Sequence, residues 1–304
     1  MNRHDPISVR LAALVLLVTL PLTQALASVG AKETKAGHTR IASAAHADLR
    51  LLGKPNVKSS SVLVFDEKDE SVLYSRQADV ALPIASITKL MTALVVLEAQ
   101  QPLDEELEIT KDDRDSERHS SSRLAIGATL ERGDLLHVAL MASENRAAHA
   151  LGRNYPGGLP AVVHAMNAKA KALGMTSTRF VDPTGLSSDN VASPADLAKL
   201  VIAASHNPTI REFTTDPDYS VTVGRREIEY RNTNTLVKNP TWDIVVQKTG
   251  YITEAGKCLV MKAVIEGRSV VIVLLDSFGK YTRTADANRI RKWMENTRLA
   301  ARAQ

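Results

Sequence analysis

The sequence predicts an α+β fold in which pieces from both ends of the chain meet in one antiparallel sheet, with helices on its faces. Three observations predict it. Short apolar runs of strand length open the mature chain, the middle is patterned as helices, and the last third returns to strands before a closing helix. Neither an internal repeat nor a linker rich in Pro, Gly and Ser follows Lys248, so no second domain is expected there.

The elements follow in order. Arg3 and Arg10 form a positive n-region ahead of an apolar run, Leu11 to Leu22, broken only by Thr19 and Pro21, and Ala25-Leu-Ala27 forms a small-residue cleavage site. Residues 1–27 therefore read as a signal peptide cut after Ala27, which sends the chain to the periplasm. The run is shorter than the ~20 residues that cross a bilayer, so no integral membrane anchor is expected after cleavage. Residues 28–58 are polar and small and read as a mature N-terminal segment, leaving 59–304 as a single domain.

Ser61–Phe65 and Ser71–Tyr74 flank the charged run Asp66–Glu70, the pattern of a β-hairpin. Leu90–Leu97 is almost wholly apolar and suits a helix buried on all sides. Asp134–Met141 reads as a second helix, and Leu159–Leu173 as a third, with Val162, Val163, Met166 and Ala170 at helical spacing and Gly174 as its stop. Ser193-Pro-Ala-Asp196 caps a fourth helix running through Ala203. Ile244–Val246 is a strand, and Leu259–Ile265 and Ser269–Leu275 form a hairpin turned by Glu266-Gly-Arg268. Ala285–Asn296 carries Ile290, Trp293 and Met294 on one face, which suits packing on the sheet.

Composition removes several classes of function. Lys and Arg number 38 against 34 Asp and Glu, a formal charge of +4 without an arginine-rich stripe, so nucleic acid is not an expected partner. The single cysteine, Cys258, lies in the apolar run Cys258–Met261 and reads as a buried, inert thiol. With one cysteine, and eight histidines lacking H-E-x-x-H spacing, no metal and no other cofactor is expected.

Three short motifs carry the chemistry: Ser86-Ile-Thr-Lys89, Ser143-Glu-Asn145 and Lys248-Thr-Gly250. Ser86 and Lys89 are three apart at the start of the apolar helix, so both side chains share one face near its positive end. Free backbone amides there can hold an oxyanion. A lysine acts as a base at neutral pH only if its pKa falls by about three units, which desolvation and a second cation would promote. Lys248 is the candidate second cation. The plainer reading makes Ser86 an N-cap and Lys89 a lysine that snorkels to solvent. Ser143 and Asn145 lie in a polar break between helices, where they can relay a proton and hold a substrate amide. Lys248 and Thr249 suit a carboxylate, and Gly250 would let a substrate backbone approach the strand edge. Two decoys compete: Ser277-Phe-Gly-Lys280 follows a strand and opens no apolar helix, and Ser188-Asp-Asn190 sits in a turn-rich connector.

At these residues the chain resembles the low-molecular-mass penicillin-binding proteins of the D-alanyl-D-alanine carboxypeptidase/endopeptidase family. Arg123–Gly127, Leu140–Ala148, Phe180–Leu186, Ser193–Ala198 and Asn232–Leu236 extend the resemblance over most of the mature chain. It selects Ser143 over Ser188 as the second motif. The resemblance implies a β-lactamase/transpeptidase-like fold, an antiparallel sheet beside a helical lobe. It implies Ser86 as acylated nucleophile, Lys89 as general base and Ser143 as proton relay. Asn145, Lys248, Thr249, Gly250 and Tyr251 would bind substrate, with the amides of Ser86 and Tyr251 as the oxyanion hole. Peptidoglycan peptide stems are the implied substrate, and β-lactams the implied covalent inhibitors.

Carboxypeptidases of this family commonly carry a β-rich second domain and a C-terminal amphipathic anchor, and the stretch from Gly250 to Gln304 resembles neither. Lys248–Lys262 looks like the endopeptidase branch, so the expected reaction is opening of D-Ala–diaminopimelate crosslinks. Removal of a terminal D-Ala is the alternative. A non-catalytic wall-binding protein is the second. A class A β-lactamase would need a glutamate for its deacylating water, and the connector has no E-x-x-L-N run.

Overall fold

The computed structural model describes residues 53–302; the expected signal peptide, 1–27, and residues 28–52 lie outside the described residues. In chain order the elements are strands β1 (Ser61–Asp66), β2 (Ser71–Arg76) and β3 (Leu82–Pro83), helix α1 (Thr88–Glu98), and strands β4 (Glu106–Glu108) and β5 (Thr129–Glu131). Helices α2 (Arg132–Met141), α3 (Asn145–Arg153) and α4 (Gly158–Ala172) follow, then strand β6 (Val191–Ala192) and helices α5 (Pro194–Ser205) and α6 (Pro208–Thr215). Strands β7 (Asp218–Val223), β8 (Arg226–Arg231), β9 (Asp243–Ile252), β10 (Gly256–Ile265) and β11 (Arg268–Ser277) lead to helix α7 (Thr282–Arg302).

The apolar runs from the two chain ends pair as expected. Their five strands stand in the order β2-β1-β11-β10-β9, and β1 joins β11 with Ser61 opposite Leu275. The runs in β1, β10 and β11 are apolar nearly throughout because both faces are buried there. Val271, Val273 and Leu275 of β11 face the core shared with helices α1–α6, while Val270, Ile272 and Leu274 face a second core closed by Ile290, Trp293 and Met294 of α7. Helix α1 is buried from Thr88 to Val96 and packs against α2, α3, α4 and α5. Ser193 caps α5 by accepting from the Asp196 amide, with Pro194 in the first turn.

Residues 53–58, read from sequence as part of the N-terminal segment, run without regular structure against α7. The buried Asp286 carboxylate accepts the amides of Lys58 and Ser59 and the Ser59 hydroxyl at 2.6–3.0 Å, and the Trp293 indole donates to the Gly53 carbonyl. Replacing Asp286 by Ala strands these donors. It is expected to cost about 3 kcal/mol of stability, read by urea unfolding. Strand β9, at the sheet edge, faces the turn that precedes α1, and that junction carries the motifs.

Candidate active site

Ser86 lies in a 3₁₀ turn, Ala85–Ile87, that leads directly into α1. Ala85 has φ +48°, a costly conformation for a residue with a Cβ, and the Thr88 hydroxyl donates to its carbonyl at 2.8 Å. Two glycines let the rest of the fold close on this turn. A Cβ on Gly250 of β9 would sit 2.8 Å from the Ile84 oxygen and 3.2 Å from the Ser86 nitrogen. One on Gly185 would sit 2.0 Å from the Ala85 oxygen. Gly250 therefore admits the turn that carries Ser86, rather than only a substrate backbone as its sequence suggests. The segments carrying the Ser86 and Tyr251 amides thereby abut.

Lys89 is buried on the second residue of α1, and its Nζ has three acceptors. They are Ser86 Oγ at 2.9 Å, Asn145 Oδ1 at 2.8 Å and the Thr184 carbonyl at 2.7 Å. An ammonium donates to all three. A neutral amine has two N–H bonds and one lone pair, so donation to the two carbonyl-type oxygens leaves the lone pair facing the Ser86 hydroxyl. Burial lowers the Lys89 pKa to about 7, against the upward pull of Asp182 and Glu144. Desolvation thus supplies the depression that a lysine base requires. Burial, rather than the expected repulsion from Lys248, lowers Lys89; Lys248 is itself held well below the usual lysine range by burial first and then by Lys89 and Arg283.

The second motif is divided between two tasks. Asn145, the first residue of α3, accepts from Lys89 and donates from Nδ2 to Ser120 Oγ at 3.0 Å, so its amide orients the Lys89 side chain. Glu144 is buried and caps α3 by accepting the Arg146 amide. Ser143 sits at φ +63° in the short turn between α2 and α3. Its hydroxyl bonds neither Ser86 nor Lys89 among the described residues, and it lines a cleft with Asn145 and Thr233.

Lys248 and Thr249 lie within β9, which continues past the motif to Ile252. Lys248 is fully buried and its Nζ donates to the Thr249 carbonyl at 3.1 Å. The Thr249 hydroxyl meets that of Thr233 at 2.6 Å, and Thr233 reaches back to the Met141 carbonyl at the end of α2. Tyr251 is exposed, with the Lys257 ammonium 4.1 Å from its ring centroid. Arg283 of α7 clamps this edge by donating to the carbonyls of Gly250 and Cys258. Cys258 itself is buried, and burial raises its thiol to about 11, in keeping with an inert role.

Sequence reasoning missed the connector's part in the site. Asp182 accepts from Thr184 N and Oγ1, Gly185 N, Ser187 N and Asn190 Nδ2, fixing the loop that offers the Thr184 carbonyl to Lys89. The Asp182-Pro-Thr-Gly185 turn signature was readable, but a backbone acceptor for a distant lysine has no signature. Asn190 of the Ser188 decoy is spent inside this loop. Ser277 of the other decoy is buried and bonded to Ser59 Oγ.

A family profile described as D-alanyl-D-alanine carboxypeptidase matches residues 49–279. The chain is 49% identical over 245 residues to a D-alanyl-D-alanine endopeptidase of Pseudomonas aeruginosa, covering 80% of this chain and 79% of that one. It is 45% identical over 248 residues to a D-alanyl-D-alanine endopeptidase of Escherichia coli, covering 81% and 80%. A D-alanyl-D-alanine carboxypeptidase of Streptomyces matches at 30% identity over 254 residues, covering 78% and 87%. The crystal structure of a Streptomyces DD-transpeptidase superposes with a TM-score of 0.74 at 27% identity, covering 80% of this chain and 99% of that one. The chain therefore belongs to the D-alanyl-D-alanine carboxypeptidase family of serine peptidases, on the α+β transpeptidase-like fold.

Proposed function

We propose that this protein is a periplasmic D,D-endopeptidase, exported by a signal peptide cleaved after Ala27, that opens D-Ala–diaminopimelate crosslinks through an acyl-enzyme on Ser86. The observation that carries the reading is the set of three acceptors around Lys89 Nζ, which leaves a neutral amine with its lone pair on the Ser86 hydroxyl. Lys89 takes the Ser86 proton as Oγ attacks the D-Ala carbonyl carbon. The Ser86 and Tyr251 amides hold the oxyanion. The C–N bond breaks, Ser143 relays a proton to the departing diaminopimelate amine, and water then hydrolyses the ester.

The carboxylate beside the scissile bond binds Lys248 and Thr249. It supplies the counter-ion that buried Lys248, whose Nζ donates to the Thr249 carbonyl, lacks among the described residues. A β-lactam carries an equivalent carboxylate beside a strained amide and acylates the same serine. The higher identity to relatives named endopeptidase than to one named carboxypeptidase supports the choice between the two reactions.

Digestion of purified muropeptides by wild type and Ser86→Ala tests the reading. Crosslinked dimers fall to monomers with wild type only, and pentapeptides stay mostly intact. Loss of terminal D-Ala with dimers intact would make the enzyme a carboxypeptidase. No Ser86-dependent change in either would move the protein to a binding role.

A further inference from the structure

The cleft that Ser143 lines is a cavity of about 370 Å³ whose walls include Arg123, Ser143, Asn145, Tyr230, Arg231 and Thr233. Ser143 is the proposed proton donor to the departing amine, and Thr233 is bonded to Thr249, the proposed carboxylate ligand. The cavity therefore lies on the side of the scissile bond from which the leaving group departs.

Its two arginines are both exposed but differ in pairing. Arg231 is already paired, with Nε 3.0 Å from Glu229 Oε1. The Arg123 guanidinium is in no ion pair among the described residues; it stacks 5.4 Å from the Tyr230 ring centroid and donates from Nη1 to the Glu229 carbonyl. Its own backbone amide points to Glu144 Oε2 at 3.4 Å, tying the segment to the turn that holds Ser143. One N–H group and one face are thus used for positioning, and the remaining donors of the fork stay available. A guanidinium held in this way is prepared for a carboxylate, because little side-chain freedom is lost on binding. Beside it, the buried Tyr230 hydroxyl has no hydrogen-bond partner among the described residues.

We infer that this cavity is the subsite for the leaving peptide strand and that Arg123 anchors a carboxylate of that strand. The inference rests on the endopeptidase reading and names the feature that selects a crosslink. A terminal D-Ala has one carboxylate, and Lys248 and Thr249 take it. Diaminopimelate has two carboxyl groups, and where the second is amide-bonded the strand continues to a further terminal carboxylate. Only a crosslinked substrate offers Arg123 an anion.

The test compares wild type, Arg123→Ala and Arg123→Lys on crosslinked muropeptide dimers and on a labelled penicillin, whose acylation of Ser86 reports a folded site. For Arg123→Ala, kcat/KM on dimers is expected to fall about tenfold or more relative to penicillin acylation, chiefly through KM. Arg123→Lys should recover part of the loss, and the wild-type KM should rise with salt. Arg123→Ala opening dimers as well as wild type, or losing dimer cleavage and penicillin acylation in equal proportion, overturns the inference and leaves the endopeptidase reading standing. Wild type that releases terminal D-Ala while leaving dimers intact overturns both.

Discussion

Replacing Lys89 by Met is expected to slow acylation of Ser86 about 10³-fold without unfolding the protein. Methionine is similar in length, so the core around α1 stays filled. The lone pair proposed to take the serine proton is gone, and so is the donor shared by Asn145 and Thr184. Stability should also change its dependence on pH. An unfolded lysine binds its proton up to about pH 10.5, whereas burial holds Lys89 at about 7 in the fold. Between these values the unfolded state binds more protons, so wild-type stability rises with pH from 7 to 10.5 and this contribution is constant below 7. The full depression corresponds to about 5 kcal/mol of penalty on the protonated fold. Urea unfolding across this range should show that slope in wild type and lose this component in Lys89→Met.

Gly185→Ala is the second large effect, and it acts on Ser86 from outside the motifs. Gly185 has φ +79°, and a methyl group there would collide with the backbone of Ala85, immediately before Ser86. Neither backbone can yield alone, because Asp182 pins one and Gly250 of β9 packs against the other. Displacement of Ser86 by even about 1 Å can cost 10²-fold in rate. The variant should lose about 10²-fold in penicillin acylation and about 3 kcal/mol in stability. Gly224→Ala supplies the comparison: φ is +59° there, but nothing lies within 4 Å of the added carbon. It should cost about 1 kcal/mol from backbone strain and leave acylation unchanged.

The elements legible in the sequence are those whose burial follows a simple period. The run Leu90–Leu97 is apolar all round because α1 is covered on every side, and Ser193-Pro194 caps a helix as its residues predict. The hairpin β7–β8 escaped notice although β8 does alternate. Only Ile228 and Tyr230 face inward among Arg226, Glu227, Glu229 and Arg231, and the charges hide the period. Helix α6 was missed for a related reason, since Ile210 and Thr214 are its only buried residues; its Asn207-Pro208 start was readable. At the site, Ser86 and Lys89 were legible as a pair at helical spacing, and Lys89 as a cation in an apolar helix. What makes Lys89 a base was not. Its third partner is a carbonyl 95 residues away, and any residue type can present a carbonyl. Asn145 was legible as a polar site residue, but its bond to Lys89 depends on the tertiary meeting of α1 and α3.

The measurement that bears most directly on the Ser86–Lys89 pair is the pH dependence of acylation by a labelled penicillin, with the adduct located by peptide mass. The label is expected on the peptide containing Ser86. The rate is expected to climb through neutral pH with its midpoint near 7, as Lys89 loses its proton, with no such midpoint in Lys89→Met. A label on another residue, or a wild-type rate that is flat from acid through neutral pH, would contradict these roles for Ser86 and Lys89.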